Sequence, residues 1–224
     1  MIDKKSLTTR RQVKYFTDKV PAEQIIKDII ADTIAYAPMK NNKWDFILEV
    51  YDNHWAEQKQ LLLYKTVTKW EQNYDTIKHW TFSDHQTAAA DPDCKSQQYN
   101  NQVTAPYLIV ARKSEIKYDY EGTGSSETKK AINAGSIAAT LGFVTRQHGL
   151  YGGLCSCYTD SFNETIPPNM IIDNKEDFYF MFGIGYVNAE YYKKYYDAYF
   201  PSEIQNMDLN IPRPTPNQVS EWMT

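Results

Sequence analysis

Nothing in this sequence approaches a membrane span, because its apolar runs break off well short of the roughly eighteen residues a hydrocarbon crossing takes. Cysteine is scarce: Cys94, Cys155 and Cys157 are an odd number, far too few for a disulfide framework. Glycine is scarce as well, 9 residues against 18 tyrosines. No G-x-G-x-x-G and no phosphate loop occurs, which leaves a Rossmann or nucleoside triphosphate site without support. Positive charge is not in excess, and a net charge of -4 supplies no global field to attract nucleic acid. Met1 to Arg11 is charged where a secretory leader would be apolar, so the cytoplasm is the expected compartment. There is no internal repeat and no linker-like stretch, and a single domain over 1–224 is expected.

What the chain does have is a core. Hydrophobic residues at 42% and charged residues at 23% place it with globular proteins. Pro21 opens a helix in which Ile25, Ile26, Ile29, Ile30 and Ile34 recur at helical spacing, ending before Pro38. Trp44 to Tyr51 alternates apolar and polar residues as a half-buried strand does. A second amphipathic helix is expected over 54–73, with Trp55, Leu62 and Trp70 toward one side. The run 106–112 (PYLIVAR) reads as a central strand, and 113–126 as a loop. The longest helix is expected over 127–148. Ile132, Gly135, Ile137, Ala138, Leu141 and Val144 line its apolar side, small residues allow close packing, and Gly149 stops it. Strands are expected at 153–158 and 177–186, then a helix over 188–200 and an extended tail around Pro212, Pro214 and Pro216.

Several groups of residues are candidates for chemistry. Arg10, Arg11 and Lys14 surround Val13 and Phe16, an arrangement suited either to a solvated charged face or to holding an anion. The segment from Pro38 to Phe46 joins helix to strand with polar amides and an aromatic, and such a loop either edges a ligand site or merely connects. Cys155 and Cys157 form a C-x-C. A metal there would need two further ligands at suitable spacing, and a nucleophile would need a base beside it. None of the four histidines stands at such a spacing, so the reading as small buried apolar side chains competes. Arg213 sits in a stiff prolyl tail, either solvated or aimed back at an anion.

Taken in order, these pieces resemble the nitroreductase family of FMN-dependent oxidoreductases. The resemblance rests on RRQVKYF at 10–16, PMKNNKWDF at 38–46, NNQVTAPYLIV at 100–110 and the small-residue-rich helix at 127–148. It continues with GGLCSCYTDSF at 152–162, FGIGY at 182–186 and PRP at 212–214, so it covers nearly the whole chain. Gln12 stands where the family usually has serine, Ile211 where a basic residue is common, and residues 53–99 are longer than the family norm.

The resemblance implies an α+β fold, a central, mostly antiparallel sheet flanked by helices, in a homodimer with FMN at the interface. Arg10, Arg11, Gln12 and Lys14 would contact FMN, with Arg10 and Arg213 on the phosphate and Lys14 near the pyrimidine edge. Asn100 or Asn101 would reach the ring or ribityl region. Pro38, Met39, Lys40 and Asn42 belong to the same cofactor set, the first three coming from the partner subunit. Asp160 and Ser161 would present backbone N–H to flavin N5 and so act in catalysis. Hydride would pass from NAD(P)H through N5 to an oxidised acceptor such as a nitroaromatic or quinone. Flavin fragmentation, dehalogenation and a flavin-free interaction protein are the alternatives, and no metal, membrane or nucleic acid is expected.

Overall fold

The computed structural model describes residues 12–14, 16–40, 44–66, 100–118, 126–158, 171–172, 176 and 178–187. Contacts divide the chain into the compact units Met1–Asn188 and Ala189–Thr224, and all described residues lie in the first. The expected helix over 188–200 and the prolyl tail fall outside them.

The first helix, α1, spans Glu23–Tyr36. It buries Ile26, Ile29 and Thr33, while Ile34 is left 47% exposed. Each buried isoleucine contributes about 1.5–3 kcal/mol by leaving water. The Thr33 hydroxyl donates to the Ile29 carbonyl at 2.7 Å. Ala37 is extended, as the residue before a proline prefers, and this ends the helix.

Strand β1 spans Trp44–Tyr51, as expected. A 3-10 turn at Asn53–Trp55 leads into α2, Ala56–Lys65. That is shorter than the expected 54–73: the helix closes where the Thr66 N–H and hydroxyl both donate to the Leu63 carbonyl. Another 3-10 turn, Asn101–Thr104, precedes β2, Tyr107–Tyr118. The expected loop over 113–126 is therefore strand as far as Tyr118, because β1 pairs with it out to Trp44↔Tyr118.

Helix α3 runs Glu127–Gln147. The Ser126 hydroxyl caps its start by accepting from the Lys129 N–H. At its end Gly149 takes φ 80, its N–H donates to the Arg146 carbonyl, and the Leu150 N–H donates to Thr145, both at 3.1 Å. This double closure is the Schellman arrangement, which requires a left-handed residue where glycine stands. Ile137, Ala138, Leu141 and Val144 are buried as expected. Ile132 is instead 56% exposed, and a Cβ on Gly135 would meet nothing within 4 Å, so that side of α3 faces away from this chain's core.

Strand β3 is Tyr151–Cys155; it starts two residues earlier than expected, because Leu150 already completes the helix stop, and ends three residues earlier. Strand β4 is Phe178–Gly185. Among the described residues the strands form one sheet in the order β1-β2-β4-β3, with every neighbouring pair antiparallel. β2 and β4 are central, which explains the unbroken apolar run Tyr107–Ala111 of β2 and the apolar sequence of β4. Tyr107, Ile109, Ala111, Phe180, Phe182 and Ile184 face α1 and α3. Leu108, Val110, Met181 and Cys155 face Leu62 and Leu63 of α2, together with Ile171 and Ile172.

Candidate functional site

The N-terminal segment docks on the edge strand β3. Gln12 forms a parallel bridge to Gly152, and the Val13 N–H donates to the Gly152 carbonyl at 3.1 Å. The Gln12 amide then brackets Leu154: its Nε2 donates to the Leu154 carbonyl, and the Leu154 N–H donates to its Oε1 at 3.0 Å. A primary amide matches a peptide group donor for acceptor, so both polar groups of that edge residue are satisfied. Farther along, the Thr17 N–H donates to the Tyr186 carbonyl at 2.8 Å.

Glycine makes this docking fit. A Cβ at Gly153 would stand 2.0 Å from the Val13 carbonyl oxygen and 2.6 Å from the Gln102 Cβ. On β4, a Cβ at Gly183 would stand 2.0 Å from the Gln102 carbonyl oxygen. Two backbone segments thus press on the sheet at bare Cα positions.

Lys14 follows the crossing, within electrostatic reach of Cys155 and Cys157. Burial lowers the Lys14 pKa, while the two thiols act in the opposite direction. Cys155 Sγ lies 3.7 Å from the Cys157 carbonyl oxygen. Cys157 is held below an ordinary thiol because the Cys155 side chain hydrogen-bonds to it; Lys14 and Asn100 add to this against the cost of burial. The same bond, with burial, pushes Cys155 up. Among the described residues no cluster of three or more His, Cys, Asp or Glu could hold a metal ion.

Amides line the rest of the cluster. Asn100 Nδ2 donates to the Thr66 carbonyl. Gln102 Nε2 donates to the Leu154 carbonyl at 3.1 Å and approaches Asn100 Oδ1 at 3.4 Å. Gln102 Oε1 is buried without a hydrogen-bond partner. A half-buried ammonium, amides and a spare acceptor fit the pyrimidine edge of a flavin, which presents carbonyl oxygens and an imide N–H. Gln102 was not among the residues expected from sequence, although it directly follows Asn100 and Asn101 in the same polar run.

The structure thus gathers Gln12, Lys14 and Asn100 against β3, with buried Asn101 in the adjoining 3-10 turn. Pro38–Lys40 lie elsewhere. The Lys40 N–H donates to Asn133 Oδ1 and the Ser136 hydroxyl to the Pro38 carbonyl, each at 2.8 Å, so the segment is tied to α3. Met39 packs with the core on the α1 and α3 side of the sheet, and Cys157 with the core on the opposite side. Arg10, Arg11, Asn42, Asp160, Ser161 and Arg213 lie outside the described residues.

An antiparallel sheet with helices on both faces and the N-terminal segment docked on its edge defines an α+β fold. No family model and no curated protein matches the sequence. Solved structures do match, and they share the nitroreductase fold. An FMN-dependent nitroreductase from Mycobacterium smegmatis, solved in complex with NADPH, is 14% identical, with 98% of this chain and 97% of that one covered at a TM-score of 0.62. A nitroreductase with bound FMN from Desulfitobacterium hafniense is 14% identical over 83% of this chain and 88% of that one, at a TM-score of 0.55. A nitroreductase family protein from Clostridium novyi is 14% identical over 83% of this chain and 85% of that one, at a TM-score of 0.56. This chain therefore has the fold of the nitroreductase family proteins that the order of its sequence motifs resembles.

Proposed function

We propose that this chain is an FMN-dependent oxidoreductase acting as a cytoplasmic homodimer, one FMN-binding domain over 1–224. It would take hydride from NAD(P)H and deliver it to an oxidised acceptor such as a nitroaromatic or quinone. The observation that carries this reading is Lys14, half-buried near the end of β3 on the segment docked to that strand, on a fold shared with FMN-dependent nitroreductases. FMN, when bound, supplies hydride acceptance and release.

The chain's own residues bind and orient. Lys14 presents positive charge to the pyrimidine edge, with Asn100 or Asn101 nearby. Gln12 contributes by fixing β3, since its amide is engaged by Leu154. Arg10 and Arg213 hold the phosphate through charge-assisted bonds, with Arg11 beside them. The backbone N–H of Asp160 or Ser161 donates to N5. Pro38, Met39, Lys40 and Asn42 serve the partner's site. Their attachment to α3, across the sheet from the core that Cys157 joins, supports that division between subunits.

Equilibrium FMN titration tests the reading. Arg10→Ala and Arg213→Ala should each weaken binding by about 1.5–3 kcal/mol, the worth of one charged hydrogen bond. Unchanged affinity in both variants contradicts the phosphate assignment, and a wild-type protein that takes up no FMN contradicts the function.

A further inference from the structure

The chemistry proposed above leaves the two thiols at the end of β3 without a role. Cys155 is 3% exposed, and Cys157, just past the strand, is half-buried and more open. Cys155 Sγ is turned toward the Cys157 backbone carbonyl at 3.7 Å, which sets the two thiols side by side at the end of β3. Lys14 of the docked N-terminal segment and Asn100 of the turn before β2 both favour the charged form of Cys157. Structural cysteines ordinarily have only apolar surroundings; Cys157, at the margin of the apolar core, also feels a cation, an amide and a second thiol.

We propose that Cys157 and Cys155 are a peroxide-reactive thiol pair, with Cys157 as the attacking sulfur and Cys155 as the resolving one. The Cys157 thiolate attacks a hydroperoxide, forming an S–O bond and breaking the O–O bond; the departing oxygen takes a proton and leaves as water or an alcohol. Cys155 sulfur then attacks the sulfenic sulfur, the S–S bond forms, the S–O bond breaks, and a water leaves with the Cys155 proton. Two electrons pass from the sulfur pair to the peroxide, and a dithiol reductant restores the thiols.

The division of labour follows from position. The groups facing Cys157 among the described residues are Lys14 from the N-terminal segment, Cys155 from β3 and Asn100 from the turn. Lys14 favours the thiolate at Cys157, while burial keeps the Cys155 thiol protonated beside it, its Sγ turned to the Cys157 carbonyl. A C-x-C ring is tight, so the disulfide should be labile, as a reversible switch requires.

The experiment uses the full chain in a Cys94→Ser background exposed to hydrogen peroxide. Intact mass should fall by two hydrogens, dithiothreitol should reverse this, and peptide mapping should join Cys155 to Cys157. Cys155→Ser should instead accumulate a sulfenic acid on Cys157 that dimedone traps. Iodoacetamide alkylation of wild-type Cys157 should have a midpoint below that of a free thiol. Lys14→Met should raise the midpoint and slow peroxide oxidation several-fold, and Lys14→Arg should restore both. Over-oxidation of Cys157 with Cys155 untouched overturns the resolving role. A wild-type midpoint at or above that of a free thiol overturns the attacking role, whether or not the Lys14 variants fold.

Discussion

At the residue scale, the least expected side chain is Lys59, which sits on the buried side of α2 at 1% exposure. Its Nζ donates to the Ala105 carbonyl at 2.7 Å and to that of Pro106 at 3.2 Å, and it lies 3.4 Å from Asn53 Oδ1. Burial lowers its pKa from 10.5 to about 8, and Asp52 offsets this only in part. The unfolded chain keeps this proton up to its ordinary pKa, while the folded chain releases it near 8. Between those values the unfolded state binds more protons, so stability rises with pH by up to about 3 kcal/mol from this group. Urea unfolding of the wild type and Lys59→Met at about pH 7 and about pH 10 should show the rise only in the wild type; parallel behaviour would remove Lys59 as its source. Helical periodicity could not reveal this lysine, because its partners are carbonyls 46 and 47 residues away in sequence. Lys14 was legible as part of a basic cluster, but its meeting with Cys155 and Cys157 depends on docking between distant segments.

At the element scale, patterns confined to one segment were read well and patterns set by a neighbour were not. Strand β1 alternates within its own eight residues and lies where its sequence predicts. Helix α3 carries its own cap and stop, so its limits were visible too. Strand β2 outran its apolar core because pairing with β1, rather than hydrophobicity, carries it to Tyr118. Ile132 was assigned to the apolar side of α3, yet the layer beneath the helix reaches only the turns from Asn133 onward.

Two glycine substitutions separate local from long-range demands. Gly149→Ala strains a left-handed stop and should cost about 1–2 kcal/mol without disturbing β3. Gly153→Ala drives a methyl into the Val13 carbonyl and should cost about 1–3 kcal/mol, undocking the N-terminal segment as it does so. Thermal unfolding gives both costs. FMN affinity should fall only for Gly153→Ala, and an equal loss in both variants would contradict the docking account.

At the scale of the whole molecule, the fold was legible because the order of weak motifs survives where each motif alone does not. The site was legible only in part: in one chain, Met39 and Cys157 pack with cores on opposite sides of the sheet. The proposed homodimer would resolve this separation. The exposed Ile34, Tyr36 and Ile132, at 47%, 49% and 56%, are apolar surface a partner would cover. Sedimentation equilibrium should show a dimer at micromolar concentration, and Ile132→Glu should shift it toward monomer by at least tenfold in dissociation constant, about 1.4 kcal/mol. A wild-type monomer that still binds FMN would contradict the shared site.

The central claim is that this chain passes hydride through bound FMN. Anaerobic titration tests it most directly: the protein is reconstituted with FMN, freed of excess, mixed with NADH or NADPH, and then given a quinone or nitroaromatic. The account predicts that one of the two nicotinamides bleaches the oxidised-flavin absorbance and that the acceptor restores it, each in proportion to bound FMN. A protein that retains FMN yet is bleached by neither nicotinamide would contradict it.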